Sequence, residues 1–198
     1  DCCAAFTPWV NISCARYSSK TPISMPPSFA YLAALANSLK TNASWIAVAG
    51  ATRGQIPGLD GTNPLNINKV LTNSIAENEY QNRNGVSINA VTNIKPFGYR
   101  IWGNRTLKNN AVEGNLTATS FLNTRNMICD IKKVAFNACR RLMFEQNNDV
   151  LWLNFKAAVE PTLEKMKSGA GLAGYKVIKG TTTEKAKLVA QIKLYPLY

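Results

Sequence analysis

A glycine motif near the C-terminal end is the first candidate for chemistry. Gly169, Gly171 and Gly174 have the G-x-G-x-x-G spacing of a dinucleotide-binding fingerprint. That fingerprint requires a strand before it and a helix after it, because the pyrophosphate then lies against the helix N-terminus. Here a helical pattern precedes the glycines and a strand pattern follows them. The sequence therefore predicts a turn after a helix, with no cofactor bound.

Paired carboxylates and nucleophile–base pairs are the other common catalytic arrangements. Glu160 and Glu164 stand four residues apart, but Lys156 and Lys165 lie beside them, which is typical of a charged helix surface. The chain contains no histidine, which removes Ser–His and Cys–His pairs and the most common general base. We predict no catalytic residues and no enzymatic activity.

The cysteines give no metal or disulfide pattern. They are odd in number, and the chain has neither histidine nor two Cys-x-x-Cys motifs that would close a tetrahedral site. We predict buried, reduced thiols and no metal site. The five positions are Cys2, Cys3, Cys14, Cys129 and Cys139.

Charge is the strongest compositional signal. The net charge is +12, and from Arg100 onward there are 16 Lys/Arg against 7 Asp/Glu. A basic C-terminal half indicates an acidic partner, which is nucleic acid, an anionic membrane surface or an acidic protein. No apolar stretch approaches the ~20 residues of a membrane span. No pair of aromatic strands resembles an RNA platform, so a protein contact is favoured. A basic nucleic-acid-binding virion domain is the alternative.

The first half of the chain predicts short elements around one helix. A buried strand is expected over residues 1–6, a long loop over 47–68, a polar helix over 70–80, and strands over 86–91 and 99–102. Ser28 is the predicted N-cap of a helix that continues to Lys40. Its predicted apolar face comprises Phe29, Leu32, Ala33, Leu35, Ala36 and Leu39.

Two long helices and two strands are predicted for the second half. The first helix begins after Asn123 or Thr124, with core positions Met127, Ile131, Val134, Ala138 and Leu142. The second follows Asn148, and Pro161 is expected to kink it or to end its first half. Its predicted core positions are Leu151, Trp152, Phe155, Val159, Leu163 and Met166. Strands follow over 175–178 and 188–194.

The fold class that these elements indicate is mixed α/β, of the α+β kind. A small mixed sheet packs with two long helices and an Ala-rich helix, and residues 1–198 form one domain. The chain opens on an apolar strand with no initiator methionine. We therefore expect it to be a piece of a larger protein whose N-terminal part is missing.

Four segments carry recognisable motifs. The most specific is the run from Gly85 to Leu107, which contains Gly98-Tyr99-Arg100-Ile101-Trp102-Gly103-Asn104-Arg105-Thr106-Leu107. The other three are Phe6-Thr7-Pro8-Trp9-Val10, Pro26-Pro27-Ser28 and Phe144-Glu145-Gln146-Asn147-Asn148. Together these segments resemble the C-terminal region of contractile tail sheath proteins, from bacteriophages and from phage tail-like contractile particles. Two departures are Asn126, where the family has an arginine, and the stretch 109–119.

The resemblance implies a structural function. Sheath subunits stack as hexameric rings around a tail tube, and the stack contracts to drive the tube through a cell envelope. The implied partners are neighbouring sheath subunits, the tail tube protein, and baseplate and tail terminator proteins, with no nucleic acid and no membrane insertion. The implied location is the tail of the virion, after assembly in the cytoplasm of the host bacterium.

The resemblance also suggests two sets of contact residues. Terminal strands of such subunits pair with sheets of neighbouring subunits, which is β-augmentation. The inter-subunit arm is therefore predicted at Ile192, Leu194, Tyr195, Leu197 and Tyr198. Tube contacts through exposed, weak ion pairs are predicted at Lys156, Lys165, Lys167, Lys176 and Lys179.

Overall fold

The structure, a computed structural model, describes residues 3–12, 23–56, 66–67, 86–108, 117–146, 148–179 and 190–196. Their mixed α/β content confirms the predicted fold class. Contacts divide the chain into two compact units, Asp1–Arg125 and Asn126–Tyr198. The assignment of the whole chain to one sheath domain stays a prediction.

The strands are β1 (Ala5–Thr7), β2 (Val10–Ile12), β3 (Ile23–Met25), β4 (Asn66–Ile67), β5 (Ile88–Ile94), β6 (Gly98–Trp102), β7 (Leu172–Lys179) and β8 (Ala190–Pro196). The helices are α1 (Pro27–Ser38), α2 (Gly50–Arg53), a 3₁₀ turn (Ala118–Ser120), α3 (Leu122–Arg141) and α4 (Asp149–Ser168).

Two small sheets form the first unit. One has the order β1-β5-β6, in which β1 pairs parallel to β5 and β6 pairs antiparallel to it. The other has the order β3-β2-β4 and is antiparallel. The strands predicted over 86–91 and 99–102 are confirmed as β5 and β6. The helix predicted over 70–80 lies outside the described residues.

Helix α1 begins two residues earlier than predicted. Pro26 is the N-cap and Pro27 occupies the first turn, with no side-chain cap. Proline suits this position because its fixed φ is helical and its missing N–H has no partner there anyway. The prediction that Ser28 caps the helix is therefore wrong, since Ser28 lies inside it.

The face that α1 buries also differs from the prediction. Ala30, Tyr31 and Ala34 enter the core, where the Tyr31 ring stacks on Phe6 at a centroid distance of 4.6 Å. Leu35 is partly buried against the same core. The other five predicted core residues are exposed, because α1 is apolar all round and its periodicity does not identify the core face. They are Phe29, Leu32, Ala33, Ala36 and Leu39.

The predicted loop over 47–68 contains two short elements, α2 and β4. Its first part is held against β6: the Ile101 N–H donates to the Gly54 carbonyl at 2.9 Å, and Gln55 forms an isolated bridge with Arg100. A Cβ on Gly54 would lie 2.5 Å from the Ile101 oxygen, so only glycine permits this approach. Val48 and Ile56 join the core of the first unit from this segment.

Helix α3 follows the predicted apolar stripe but not the predicted cap. Met127, Ile131 and Ala138 are buried, which confirms the period. The helix already begins at Leu122, so capping by Asn123 or Thr124 is wrong. The Asn123 amide instead donates to the Trp45 carbonyl at 3.0 Å.

Helix α4 has a side-chain cap, since Asn148 Oδ1 accepts from the Leu151 N–H at 2.8 Å. The helix does not end at Pro161 but continues to Ser168, and Gly169 is its C-cap. Strand β7 begins at Leu172, three residues earlier than predicted. The buried face contains Phe155, Val159, Leu163 and Met166 as predicted, while Leu151 and Trp152 are half-buried.

Candidate assembly site

Asn89 is the centre of the segment that carries the sequence resemblance. Its side chain is fully buried on β5, and its amide group forms hydrogen bonds with backbone groups as a peptide group of a neighbouring strand would. Nδ2 donates to the Ala5 carbonyl at 3.1 Å and to the Arg105 carbonyl at 2.8 Å, and Oδ1 accepts from the Arg105 N–H at 2.8 Å. One amide therefore joins β1, β5 and the segment that follows β6.

Gly103 and Thr106 complete this junction. A Cβ on Gly103 would lie 2.5 Å from Asn89 Oδ1, so the Asn89 amide needs glycine at that position. Thr106 donates through its hydroxyl to the Thr119 carbonyl and through its N–H to the Ser120 carbonyl. The Leu107 N–H donates to the Cys3 carbonyl at 2.9 Å. The conspicuous motif residues therefore hold the fold together.

Two arginines of the same run also have structural contacts. Arg100 is buried, and its Nε donates to the Ala51 carbonyl at 2.9 Å and its Nη1 to the Tyr99 carbonyl at 3.0 Å. The Arg105 guanidinium lies over the Phe121 ring, 4.7 Å from the centroid, as in a cation–π contact. Both side chains connect separate segments of the chain. Their presence in the motif is therefore explained by the fold, without any role in substrate binding.

A cleft of about 380 Å³ lies beside this junction. It is lined by Ala49, Gly50, Trp102, Gly103 and Asn104. None of these described side chains titrates near neutral pH, so they supply the cleft with no general acid, base or nucleophile.

The predicted tube-contact lysines do not form one patch. Lys156 and Lys167 lie on the same flank of α4, because eleven residues at about 100° each complete three turns. Lys165 is about 160° away from Lys167 around the helix axis. Lys176 is an exposed residue of β7. Lys179 is the last residue of β7, and its side chain lies outside the described residues.

Ion pairing separates these lysines further. Lys156 Nζ lies 3.3 Å from Glu160 and Lys167 Nζ lies 3.9 Å from Glu164, both within α4. Lys165 and Lys176 form no ion pair with any residue that the structure describes. They are the cations of this set that an external carboxylate would reach without displacing a described carboxylate.

Glu164 also joins α4 to β7. The Tyr175 hydroxyl donates to Glu164 Oε2 at 2.8 Å. This hydrogen bond raises the pKa of Tyr175, and burial and the charges of Glu164 and Glu160 raise it further. The contact fixes the start of the terminal strands on the long helix.

Strands β7 and β8 form an antiparallel ribbon in the second unit. Their register pairs Tyr175 with Leu194 and Val177 with Ile192, with a bulge between Leu172 and Gly174. The described part of this sheet has two strands, so each strand has one edge with no strand partner among the described residues. Such edges accept an added strand through their backbone groups.

The predicted arm residues fall into two groups, those whose backbone lies in β8 and those outside the described residues. Ile192, Leu194 and Tyr195 lie in β8 and pair with β7 of the same chain. Their side chains, and all of Leu197 and Tyr198, lie outside the described residues. Sequence reasoning did not anticipate that the candidate arm first completes a ribbon of its own subunit.

The cysteine prediction is partly wrong. Cys3, Cys129 and Cys139 are free thiols, but all three are exposed rather than buried. Cys2 and Cys14 lie outside the described residues. Within the described ranges no cluster of acidic residues and cysteines has the make-up of a metal site. None of the helices described has both the length and the apolar content of a bilayer span.

No family model matches this chain. The tail sheath protein of Vibrio phage KVP40 (isolate Vibrio parahaemolyticus/Japan/Matsuzaki/1991) is 25% identical over 158 residues, which is 77% of this chain and 22% of that protein.

Solved structures match almost the entire chain. The PVC sheath complex of an extracellular contractile injection system, in its contracted state, has a TM-score of 0.75 and 21% identity, and covers 98% of this chain and 52% of that one. The baseplate of the anti-feeding prophage, 6-fold symmetrised, has a TM-score of 0.77 and 19% identity, and the match covers 98% of this chain and 51% of that one. The helical sheath of the same prophage in the contracted state has a TM-score of 0.73 and 19% identity, and the match covers 98% of this chain and 52% of that one.

These matches confirm the predicted resemblance to contractile tail sheath proteins, in sequence and in fold. The chain spans about half the length of the solved chains and 22% of the curated relative. The junction around Asn89, the two long helices and the terminal ribbon are the elements of that fold which the described residues supply.

Proposed function

We propose that this chain is part of a structural subunit of a contractile tail sheath. The subunit polymerises as stacked hexameric rings around a tail tube, and the stack contracts to drive the tube through the target envelope. The observation that carries the proposal is the fold: it matches a contracted sheath over 98% of the chain with a TM-score of 0.75. The subunit acts by assembly and does no catalysis.

The β7–β8 ribbon supports assembly by strand addition. An antiparallel ribbon leaves half of the backbone groups of each strand pointing outward. A strand from a neighbouring subunit would satisfy those groups on the eight-residue strand β7, and each hydrogen bond contributes about 0.5–1.5 kcal/mol. Several such bonds hold subunits together while the bodies of the subunits move between the extended and contracted states.

The exposed lysines support a weak contact with an acidic tube. An exposed ion pair is worth roughly 0.2–1 kcal/mol, which allows the sheath to release the tube on contraction. Lys165 and Lys176 are the first candidates, because neither has an ion-pair partner among the described residues. Lys156 and Lys167 would exchange an intrahelical carboxylate for one on the tube. Lys179 remains a candidate tube contact only because of its position at the end of β7.

The proposal includes further partners and a location. Baseplate and tail terminator proteins would close the two ends of the sheath, and the particle would assemble in the cytoplasm of the host bacterium. The relatives, which are a phage tail sheath protein, sheath complexes and a baseplate structure, support the sheath and baseplate partners. The terminator protein and the host cytoplasm are proposed from the sequence resemblance alone.

Electron microscopy of the full-length protein, produced with and without its tube protein, tests the proposal. Sheathed tubes or hollow ribbed cylinders are expected. Dispersed subunits under every condition would contradict it. A filter-binding assay over rising salt tests the alternative: steeply salt-sensitive binding of DNA or RNA would favour a nucleic-acid-binding domain.

A charge reversal tests the tube contact separately. The double variant Lys165→Glu, Lys176→Glu should shorten the sheathed length of tubes at low salt. The difference should shrink at high salt, because salt screens both the attraction of the lysines to the tube and the repulsion of the introduced glutamates. Lys95→Glu, in an exposed turn of the first unit, is the matched control. Equal sheathed lengths for all three proteins at low salt would exclude these lysines from the contact.

A further inference from the structure

The glycine motif of the sequence lies where the β7–β8 ribbon leaves α4. Gly169 is the C-cap of α4, and Gly171 is the last residue before β7. Gly174 lies at the bulge where the register of the ribbon shifts. Among the described residues, glycine has a positive φ at Gly50 and Gly98, so a left-handed backbone does not explain these three glycines. They instead make the connection compliant, because glycine lacks the side chain that restricts φ and ψ.

Strand β7 packs against α4 and has two anchors in its first half. Leu172 is 1% exposed, and three residues later the Tyr175 hydroxyl donates to Glu164 Oε2 at 2.8 Å. Beyond Tyr175 no described side chain of β7 is buried, and none forms a hydrogen bond or an ion pair with another described residue. The direction of the ribbon therefore depends on two points, of which the hydrogen bond is the outer one.

The length of β7 makes the outer anchor important. A rise of about 3.3 Å per residue places the end of β7 roughly 23 Å beyond Leu172. A rotation of about 10° at Leu172 would move that end by roughly 4 Å, which is close to the ~4.8 Å between paired strands. Hydrogen bonds between strands tolerate only a few tenths of an ångström, so a partner strand would lose its bonds at that end. Strand addition is therefore sensitive to the direction of the ribbon.

We propose that Glu164 and Tyr175 are positioning residues for assembly: their hydrogen bond fixes the direction in which the ribbon meets the strand of a neighbouring subunit. The inference rests on the proposed function, since it concerns the edge to which that strand adds. Without the hydrogen bond the ribbon keeps its own pairing, but it spends less time in the direction that accepts a strand. The apparent affinity of one subunit for the next falls by the same fraction.

A double-mutant cycle in assembled sheaths tests this role. The full-length protein is mixed with its tube protein, and sedimentation measures the concentration of subunits that remain unassembled at equilibrium. Tyr175→Phe removes the donor and Glu164→Ala removes the acceptor, so each should raise that concentration about three- to tenfold, as expected for one hydrogen bond. The double variant should be no worse than either single variant, because both remove the same contact. Additive losses, or unchanged assembly of Tyr175→Phe, would overturn the proposal.

Two further variants separate positioning from general stability. Glu164→Gln keeps an acceptor for the Tyr175 hydroxyl and should assemble within about twofold of the unmodified protein. Tyr99→Phe is the matched control, since the Tyr99 hydroxyl forms no hydrogen bond with any described residue. The urea midpoints of Tyr175→Phe and Glu164→Ala should lie within about 0.5 M of this control, because the Glu164 side chain is 58% exposed and water replaces the lost partner.

The outcomes distinguish this inference from the proposed function. Assembly of Glu164→Gln as poor as that of Glu164→Ala, or a larger fall of the urea midpoint in both disruptive variants, would overturn the positioning role. If the unmodified protein forms no sheath at all, the proposed function fails and this inference fails with it. If it forms sheaths and the variants contradict these expectations, other contacts aim the ribbon and only this inference is wrong.

Discussion

Replacing Asn89 with alanine tests the junction that carries the sheath-like sequence motif. The substitution removes two donated hydrogen bonds, to the Ala5 and Arg105 carbonyls, and one accepted from the Arg105 N–H. Asn89 has no exposed surface. Water therefore has no direct route to the groups that lose their partner.

The expected loss follows from these three contacts. Each hydrogen bond contributes about 1 kcal/mol net, and a buried backbone group left without a partner costs about 1–3 kcal/mol. The free energy of unfolding should therefore fall by about 3–5 kcal/mol, out of the roughly 5–15 kcal/mol that a domain has in total. With a urea dependence of about 2 kcal/mol/M, the midpoint of unfolding moves down by about 2 M.

Urea unfolding, followed by circular dichroism, measures this loss in the purified protein. Asn93→Ala is the matched control, since Asn93 lies on the same strand with an exposed side chain and its replacement should change the free energy of unfolding by less than about 0.5 kcal/mol. A midpoint for Asn89→Ala that equals the midpoint for Asn93→Ala would refute the assignment of Asn89 as the clamp of this junction.

Three further predictions concern single residues. Gly103→Ala should destabilise the protein by about 1–3 kcal/mol, because the new Cβ overlaps the Asn89 amide; an unchanged melting temperature would contradict that close approach. The raised pKa of Tyr175 means that its hydrogen bond to Glu164 stabilises the fold below the ordinary tyrosine pKa and is lost as pH rises through the raised one. An ultraviolet titration of the phenolate should therefore show a late-ionising tyrosine whose pKa falls in Glu164→Gln, and identical titrations would refute the link. Brief treatment of the native protein with a maleimide should modify Cys129 and Cys139, as peptide mass mapping would show; modification only in denaturant would mean that they are buried.

Elements with one polar and one apolar face were predictable from sequence. In α3 the apolar positions repeat with the helical period and the opposite face carries Lys132, Lys133, Arg140 and Arg141, all exposed. The pattern therefore indicates both the helix and the side that it buries. The same holds for the buried stripe of α4.

Helix α1 shows where that reasoning stops. Its sequence has no charged residue to mark the outer face, so its period predicts the helix but not its orientation. The buried set, Ala30, Tyr31 and Ala34, is decided by the fit of Tyr31 against Phe6, which is a tertiary contact. The predicted caps of α1 and α3 also depended on tertiary structure: α1 begins at Pro27 with no side-chain cap, and near the start of α3 the Asn123 N–H donates to Oδ1 of Asn104, 19 residues away, at 3.3 Å.

The role of Asn89 was beyond prediction for a different reason. Its partners lie 84 and 16 residues away in the sequence, and no local pattern links such positions. The resemblance to a sheath motif identified the segment as important but not why. The structure supplies the reason: the amide replaces backbone hydrogen bonds where three segments meet, and Gly103 leaves the space for it.

A cryo-EM helical reconstruction of the native particle tests the central claim, that this chain builds a sheath by strand addition. We predict a six-fold repeating subunit whose density contains this fold, with the β7–β8 ribbon continued on an outer edge by a strand from a neighbouring copy. A repeating subunit whose ribbon remains two-stranded, with no neighbouring strand on either edge, would contradict it.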